Sequence, residues 1–189
     1  IKDALPVFDR VAIDGGQATV NIGWDERVKR YSGAIIGAEL LSLFDVKPLL
    51  GRGFSAEDDT AGAPLTVLLS EQAWRSDFGA DPGIIGKAVR SNGEAATIVG
   101  VLPGWFRYPI DQEAWIPRRL ALDDGSNTQL IARLAPGVSA DQAQLVLASL
   151  SRDMGEKLGG ARDGATLGLI PLHHRFVDDI TRHILWMMF

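Results

Sequence analysis

The chain has 189 residues, 46% hydrophobic and 23% charged, a composition without any mark of disorder and sufficient for one domain or two small ones. Its 19 Lys+Arg against 24 Asp+Glu leave a net charge of −5, which gives no support to nucleic-acid binding. Cysteine is absent, which excludes disulfides, Cys-based zinc sites and thiol catalysis and fits the periplasm as well as the cytosol.

The chain opens Ile1-Lys2-Asp3, with neither Met nor a signal peptide, and reads as cut from something longer. Val7 to Ile13 and Gln17 to Ile22 alternate on either side of Asp14-Gly15-Gly16, which predicts a hairpin. Trp24 to Arg27 reads as a polar connection, and Arg27 to Ile36 as a strand ending near Gly33 or Gly37. Ala38 to Phe44 is a short helix with Leu40, Leu41, Leu43 and Phe44 on its apolar side, stopped before Pro48. In Leu49 to Phe54 two glycines bracket Arg52, a pattern open to two readings: an anion-binding loop, or a tight turn with Arg52 paired to Glu57 or Asp58. The run Glu57-Asp58-Asp59 lacks the alternating ligand spacing of a calcium loop and reads as solvated.

Leu65 to Leu69 is a continuous apolar run, hence a buried strand. Ser70 is placed to cap a helix over Glu71 to Phe78, with Ala73, Trp74 and Phe78 facing inward and Gly79 ending it. After Asp81-Pro82-Gly83 the runs Lys87 to Ser91 and Ala95 to Val101 meet at Asn92-Gly93. That pair is the strongest short hairpin signal, because a type I′ turn needs positive φ at both central residues. Trp105 to Pro109 is an aromatic loop, read as a lid over a small β core or as a ligand platform, and Ala114 to Pro117 reads as a short edge strand.

Leu120 to Asn127 is polar and turn-rich, a crossing between subdomains, with Asp123-Asp124-Gly125 a candidate hinge. Gln129 to Leu134 is a strand turned by Pro136-Gly137. Ser139 and Gln142 have capping-box spacing for a helix with Ala143, Leu147, Leu150 and Met154 down one side. Ala165 to Pro171 reads as a last strand. Phe176, Ile180, Ile184 and Met188 then fall on one stripe of a helix, with Asp178 and Asp179 at its start. The closing apolar run is shorter than the ~20 residues of a membrane helix, and reads either as the first turns of one or as a core helix packed on its own domain.

Chemistry is sparse. Asp81 to Ala88 has the look of a phosphate loop ending in Gly86-Lys87, but lacks its first Gly and its final Ser or Thr. No nucleophile elbow or zinc-binding His pair at helical spacing occurs, and His173, His174 and His183 do not make a metal set. The expectation is a non-enzyme with no cofactor, no metal site and no catalytic residue.

Several ordered blocks together resemble the periplasmic core domain of MacB-type ABC transporter permeases, the macrolide-exporter and FtsX-like superfamily. They are Glu39 to Phe44 before Leu50 to Phe54, then Glu57-Asp58-Asp59, then Val67 to Ser70 with Trp74 and Phe78-Gly79. Asp81-Pro82 with Ile85-Gly86-Lys87, Ile98 to Pro103, and Trp115-Ile116-Pro117 complete the series. The resemblance implies an α+β fold, with a porter-like mixed α/β subdomain from both ends (1–60 and 121–189) and a smaller β-rich subdomain (61–120) inserted. It also implies a domain facing the periplasm from the inner membrane, placed between the first two membrane helices of a permease. Its partners would be a cytoplasmic ABC ATPase subunit, a second permease copy or pseudo-repeat, and a periplasmic adaptor. Its function would be to pass ATPase-driven movement outward for export of a substrate. The structural or coupling candidates are Arg52, Trp74, Gly86, Asn92, Gly93, Phe176, Ile180 and Ile184. The competing reading is a stand-alone binding or protein-interaction module using Trp105, Phe106, Tyr108 and Trp115.

Overall fold

The structure is a computed structural model and describes residues 6–119, 129–158 and 168–172. Its elements run β1 (Phe8–Trp24), β2 (Arg27–Ile36), α1 (Glu39–Leu43), β3 (Leu50–Gly51), β4 (Leu65–Ser70) and α2 (Glu71–Phe78). Then follow β5 (Ala88–Ser91), β6 (Glu94–Leu102), β7 (Ala114–Pro117), β8 (Gln129–Leu134) and α3 (Ala140–Leu158). The fold class is α+β, a mixed sheet with a few helices.

Contacts divide the chain into Val11–Ile131 and a second unit of Ile1–Arg10 with Ala132–Phe189. In the first unit the sheet closes on itself. β1 pairs β2 antiparallel, β2 pairs β7 parallel, β7 pairs β4 antiparallel and β4 pairs β6 parallel. β6 then pairs β5, and β5 returns to β1, both antiparallel. A closed ring leaves none of these strands a free edge there, the feature that otherwise exposes unpaired backbone groups. Strands from before residue 60 and from 61–120 share one ring, and the contact boundaries fall at Arg10/Val11 and Ile131/Ala132.

Alternation along the strands fills one side of this ring with Val20, Ile22, Tyr31, Val67, Leu69, Val89, Ile98 and Val101, all buried. Trp74 and Phe78 of α2 pack against that cluster beside the fully buried Ala73. α2 starts where expected, with Ser70 Oγ accepting the Ala73 N–H at 3.1 Å, and ends at Gly79 in the left-handed region. In the second unit the Ala135 N–H donates to the Val7 carbonyl at 2.9 Å. The capping box of α3 forms, Gln142 N–H to Ser139 Oγ and Ser139 N–H to Gln142 Oε1.

Three expectations need correction. Asp14-Gly15-Gly16 is no hairpin turn, because β1 runs through it as one strand of 17 residues. The glycines make a bulge there, with a register shift between Asp14 and Gly16, and Asp14 Oδ1 accepts the Gly16 N–H at 2.8 Å. The reversal comes at Asp25-Glu26, both at positive φ. β7 is not an edge strand, since Gly33–Ile36 flank it on one side and Leu68–Leu69 on the other. Its Pro117 is tolerated because it is the last residue, after which the Arg118 N–H continues to the Ile36 carbonyl. The last strand does not form over the described residues 168–171, which are irregular, although the Leu169 N–H is held by Gln144 Oε1 at 2.8 Å.

One contact sets the tightest packing limit. β6 carries an extra residue at Val99, whose carbonyl accepts the Arg52 N–H at 2.9 Å, so the β3 strand crosses directly over Gly100. A Cβ on Gly100 would collide with the Arg52 carbonyl, and the neighbouring backbone has no flexible end to yield. Gly100→Ala should lower the unfolding free energy by ~1–3 kcal/mol, whereas Ala95→Ser, exposed on the same strand, should change it by no more than ~0.5 kcal/mol. Urea unfolding of the two variants checks this.

Candidate functional site

Arg52, Asn92, Gly93 and the aromatic residues of the competing reading fall on three fastenings of the ring. The first is the loop between β3 and β4. Arg52 Nη1 donates to Asp58 Oδ2 at 2.6 Å and Nη2 to Oδ1 at 3.2 Å, a bidentate pair. Asp58 also accepts from the Ser55 N–H at 2.6 Å, from Ser55 Oγ at 2.9 Å and from Thr66 Oγ1 of β4 at 3.1 Å. Of the two readings of Arg52, the turn paired to a carboxylate is the one that forms. The acidic run is not a solvated loop, for Asp58 is only 6% exposed. The Arg52 pairing is one of the two sequence readings, but the burial is not legible there, since it also depends on Ser55 of the same loop and Thr66 of β4.

Burial alone would raise the Asp58 pKa. The hydrogen bonds from Arg52 and Ser55 and the Arg52 charge overcome it and hold the carboxyl down to about 2. Asp59 goes the other way. Its burial dominates and raises the pKa, against hydrogen bonds from the Ala38 and Arg118 backbones, with the charges of Asp58 and Glu39 adding to the rise. Asp59 Oδ2 accepts the Ala38 N–H at 2.7 Å, which ties the same loop to the start of α1.

The second fastening is aromatic. Trp115 is fully buried and donates from Nε1 to the Tyr108 carbonyl at 2.8 Å. Phe106, 5.6 Å from the Trp115 ring, is buried as well, and Phe44 of the α1 C-terminus lies 5.2 Å from Tyr108. Tyr108 donates its hydroxyl to Asp14 Oδ2 at 2.8 Å. The four-residue aromatic surface is thus corrected: Trp115 and Phe106 are core, and Trp105 alone of the four is well exposed, at 69%. Sequence reasoning missed Phe44, whose place on an apolar helix side did not reveal its partners.

The third fastening is the β5–β6 turn. Asn92 and Gly93 both have positive φ, as the type I′ reading requires. The Asn92 side chain reaches back to β1, where Oδ1 accepts from the Asn21 N–H at 2.9 Å and from Asn21 Nδ2 at 3.0 Å, while Nδ2 donates to the Thr19 carbonyl at 3.2 Å. No sequence signal pointed to Asn21. α2 is held separately by Lys29 to Asp77 at 2.8 Å and by the Tyr31 hydroxyl to Asp77 at 3.1 Å. Burial, then the Asp77 charge, pushes the Tyr31 pKa upward.

Among the remaining candidates, Trp74 donates from Nε1 to the Asp81 carbonyl at 2.9 Å and closes the loop after α2. Gly86 and Arg52 line one apolar groove of about 330 Å³ with Ile85 and Val99. Phe176, Ile180 and Ile184 lie outside the described residues, as do Met188, the three histidines and the Asp123-Asp124-Gly125 join. No helix among the described residues is long and apolar enough to cross a membrane.

A domain of this architecture is one of a class. The periplasmic region of MacB from Actinobacillus actinomycetemcomitans matches with TM-score 0.60 at 19% identity, over 79% of this chain and 69% of that one. A domain assigned to a permease protein of Porphyromonas gingivalis gives 0.61 at 17% identity, over 97% and 85%. The extracellular domain of the noncanonic ABC-type transporter YknZ from Gram-positive bacteria gives 0.57 at 17%, over 82% and 79%. At these identities the likeness is one of fold. A search of curated proteins finds no match. The family model described as the MacB-like periplasmic core domain matches residues 1–150, and the chain belongs to that family. It is thereby the extracytoplasmic domain of a MacB/FtsX-like ABC transporter permease.

The opposed carboxyls have a pH consequence. A carboxyl depressed to about 2 on folding contributes stability above its unfolded value near ~4, lost as the pH falls through about 2, with a full size of ~2–3 kcal/mol. Asp58→Asn should therefore lower stability at pH 7 by about that amount and flatten the acid limb between pH ~4 and ~2. Unfolding free energies of both chains at neutral and acid pH give the measurement.

Proposed function

We propose that this domain is a passive mechanical element of its permease, passing the movement of an ATPase elsewhere in the transporter to the export of a substrate. It performs no reaction itself and needs no cofactor. The observation that carries this reading is closure of the sheet in Val11–Ile131, a ring with both edges of each strand engaged and loops fastened by Asp58, Trp115 and Asn92. Transmission of force requires elements that move as packed bodies, with hinges at their joins. A ring of hydrogen-bonded strands is stiff in this sense, because deforming any seam strains the others.

The partners in this reading are a cytoplasmic ABC ATPase acting through membrane helices, a second permease copy or pseudo-repeat, and a periplasmic adaptor. Asp123-Asp124-Gly125 is the proposed hinge, and the stripe of Phe176, Ile180 and Ile184 the proposed entry to a membrane helix. Inner-membrane anchoring follows from the same reading.

This chain has no cysteine of its own, so once any cysteine elsewhere in the permease is replaced the labels sit only at the chosen positions. Val28, Ile110 and Leu145 are exposed at 76%, 65% and 71%. In the full-length permease, spin labels on Val28→Cys with Ile110→Cys, both within Val11–Ile131, should keep one distance through the ATP cycle. Labels on Val28→Cys with Leu145→Cys, one on each unit, should report a distance that changes on ATP hydrolysis. A first pair that shifts as much as the second, or a second pair that never shifts, overturns the mechanical reading.

A further inference from the structure

The β1–β5 seam of the ring is short. Only Ile22 with Ser91 and Gly23 with Arg90 stand in register across it. The Asn92 side chain extends it by three hydrogen bonds to Thr19 and Asn21, and the Asn92 N–H adds a fourth to the Asn21 carbonyl at 2.9 Å. This clasp is also a reactive pair, since an asparagine followed by glycine presents an unhindered backbone nitrogen to its own side-chain amide.

We infer that Asn92-Gly93 is a covalent modification site, a deamidation site kept silent while the Asn92 side chain is docked on β1 and exposed when that seam opens. In the reaction the Gly93 backbone nitrogen attacks Cγ of Asn92. The new C–N bond forms as the bond to Nδ2 breaks, and Nδ2 leaves as ammonia with the proton lost from the Gly93 nitrogen. Water then opens the five-membered succinimide at either carbonyl, which leaves an aspartate or an isoaspartate. No electrons are transferred, and solvent water is the only co-reactant.

Docking opposes this step twice. The I′ turn fixes the backbone between Asn92 and Gly93 with both residues at positive φ, and closing the ring requires rotation out of that turn. The amide is also held facing Asn21 and Thr19, so Cγ cannot turn toward Gly93 until those bonds part. The product cannot restore the whole clasp, since an aspartate keeps an acceptor for Asn21 but loses the bond to Thr19. A carboxylate has no N–H for the Thr19 carbonyl and sets a negative charge against it, and an isoaspartate lengthens the turn backbone. Deamidation is therefore a one-way loosening of the seam, at a rate set by how often the seam opens.

The test uses the whole chain at mildly alkaline pH, with peptide mass mapping of the exchange of ammonia for water. Asn21-Ile22 and Asn127-Thr128, where side chains crowd the attack, serve as slow internal controls. Asn92 should react at least about tenfold more slowly in the folded chain than in urea, the ratio expected for releasing hydrogen bonds of ordinary strength. Asn21→Ala removes one donor, and should speed the folded-state reaction about fivefold while leaving the urea rate unchanged. Should that variant fail to fold, amide exchange of the aged native chain decides: the Asn21 N–H should lose protection in step with the isoaspartate formed, whose longer backbone moves the side chain off β1. Equal rates in folded and unfolded chains, an unchanged rate in a folded Asn21→Ala, or undiminished Asn21 protection in the isoaspartate product would each overturn the inference.

Discussion

Closure of the strand ring is the constraint on which the rest of Val11–Ile131 depends. A two-residue pairing such as Leu68–Leu69 with Ala114–Trp115 would be a weak joint in an open sheet. Inside a ring it cannot part without distorting its neighbours. That is why small residues sit where backbones cross, Gly100 beneath the Arg52 carbonyl above all, and why the bulges at Gly15 and Val99 occur where a strand has to bend or accept a second partner.

The loops owe their conformation to the ring as well. α1 has only five residues and Ala38 at its N-cap, with no side chain there to accept a free N–H. Asp59 supplies the missing acceptor from 21 positions away. Its neighbour Asp58 meanwhile gathers Arg52, Ser55 and Thr66. Two adjacent carboxyls are thereby driven in opposite directions, Asp58 toward permanent ionisation and Asp59 toward holding a proton more readily. The difference is one of donors. Asp58 receives a guanidinium and two hydroxyls, whereas Asp59 has a buried Oδ1 without a hydrogen-bond partner.

What the sequence disclosed follows the range of each interaction. Ser70 capping α2, Ser139 with Gln142 capping α3, and Asn92-Gly93 turning β5 into β6 are all settled within a few residues, and each was legible. Asp14-Gly15-Gly16 was not, because the same two glycines serve a turn or a bulge, and the choice belongs to the partner strand. β7 read as an edge for a similar reason: a terminal proline is compatible with both an edge and the centre of a sheet, and only β2 and β4 decide. The same limit hid Asn21, Phe44 and Thr66, each ordinary in its own segment and important only across the fold.

The composition of the fastenings bears on what such a body can do. Each pairs a turn or loop with a strand: Asn92 with Asn21 and Tyr108 with Asp14 far apart in sequence, Asp58 with Thr66 on the strand that follows its loop. None leaves a nucleophile beside a base. Asp58, the most strongly perturbed carboxyl among them, is saturated with donors, the opposite of the poised, partly solvated group that proton transfer requires. Perturbation of this kind follows from holding a loop in place. The polar side chains of these fastenings are committed to joining segments, so their perturbation is accounted for by the architecture of Val11–Ile131 itself.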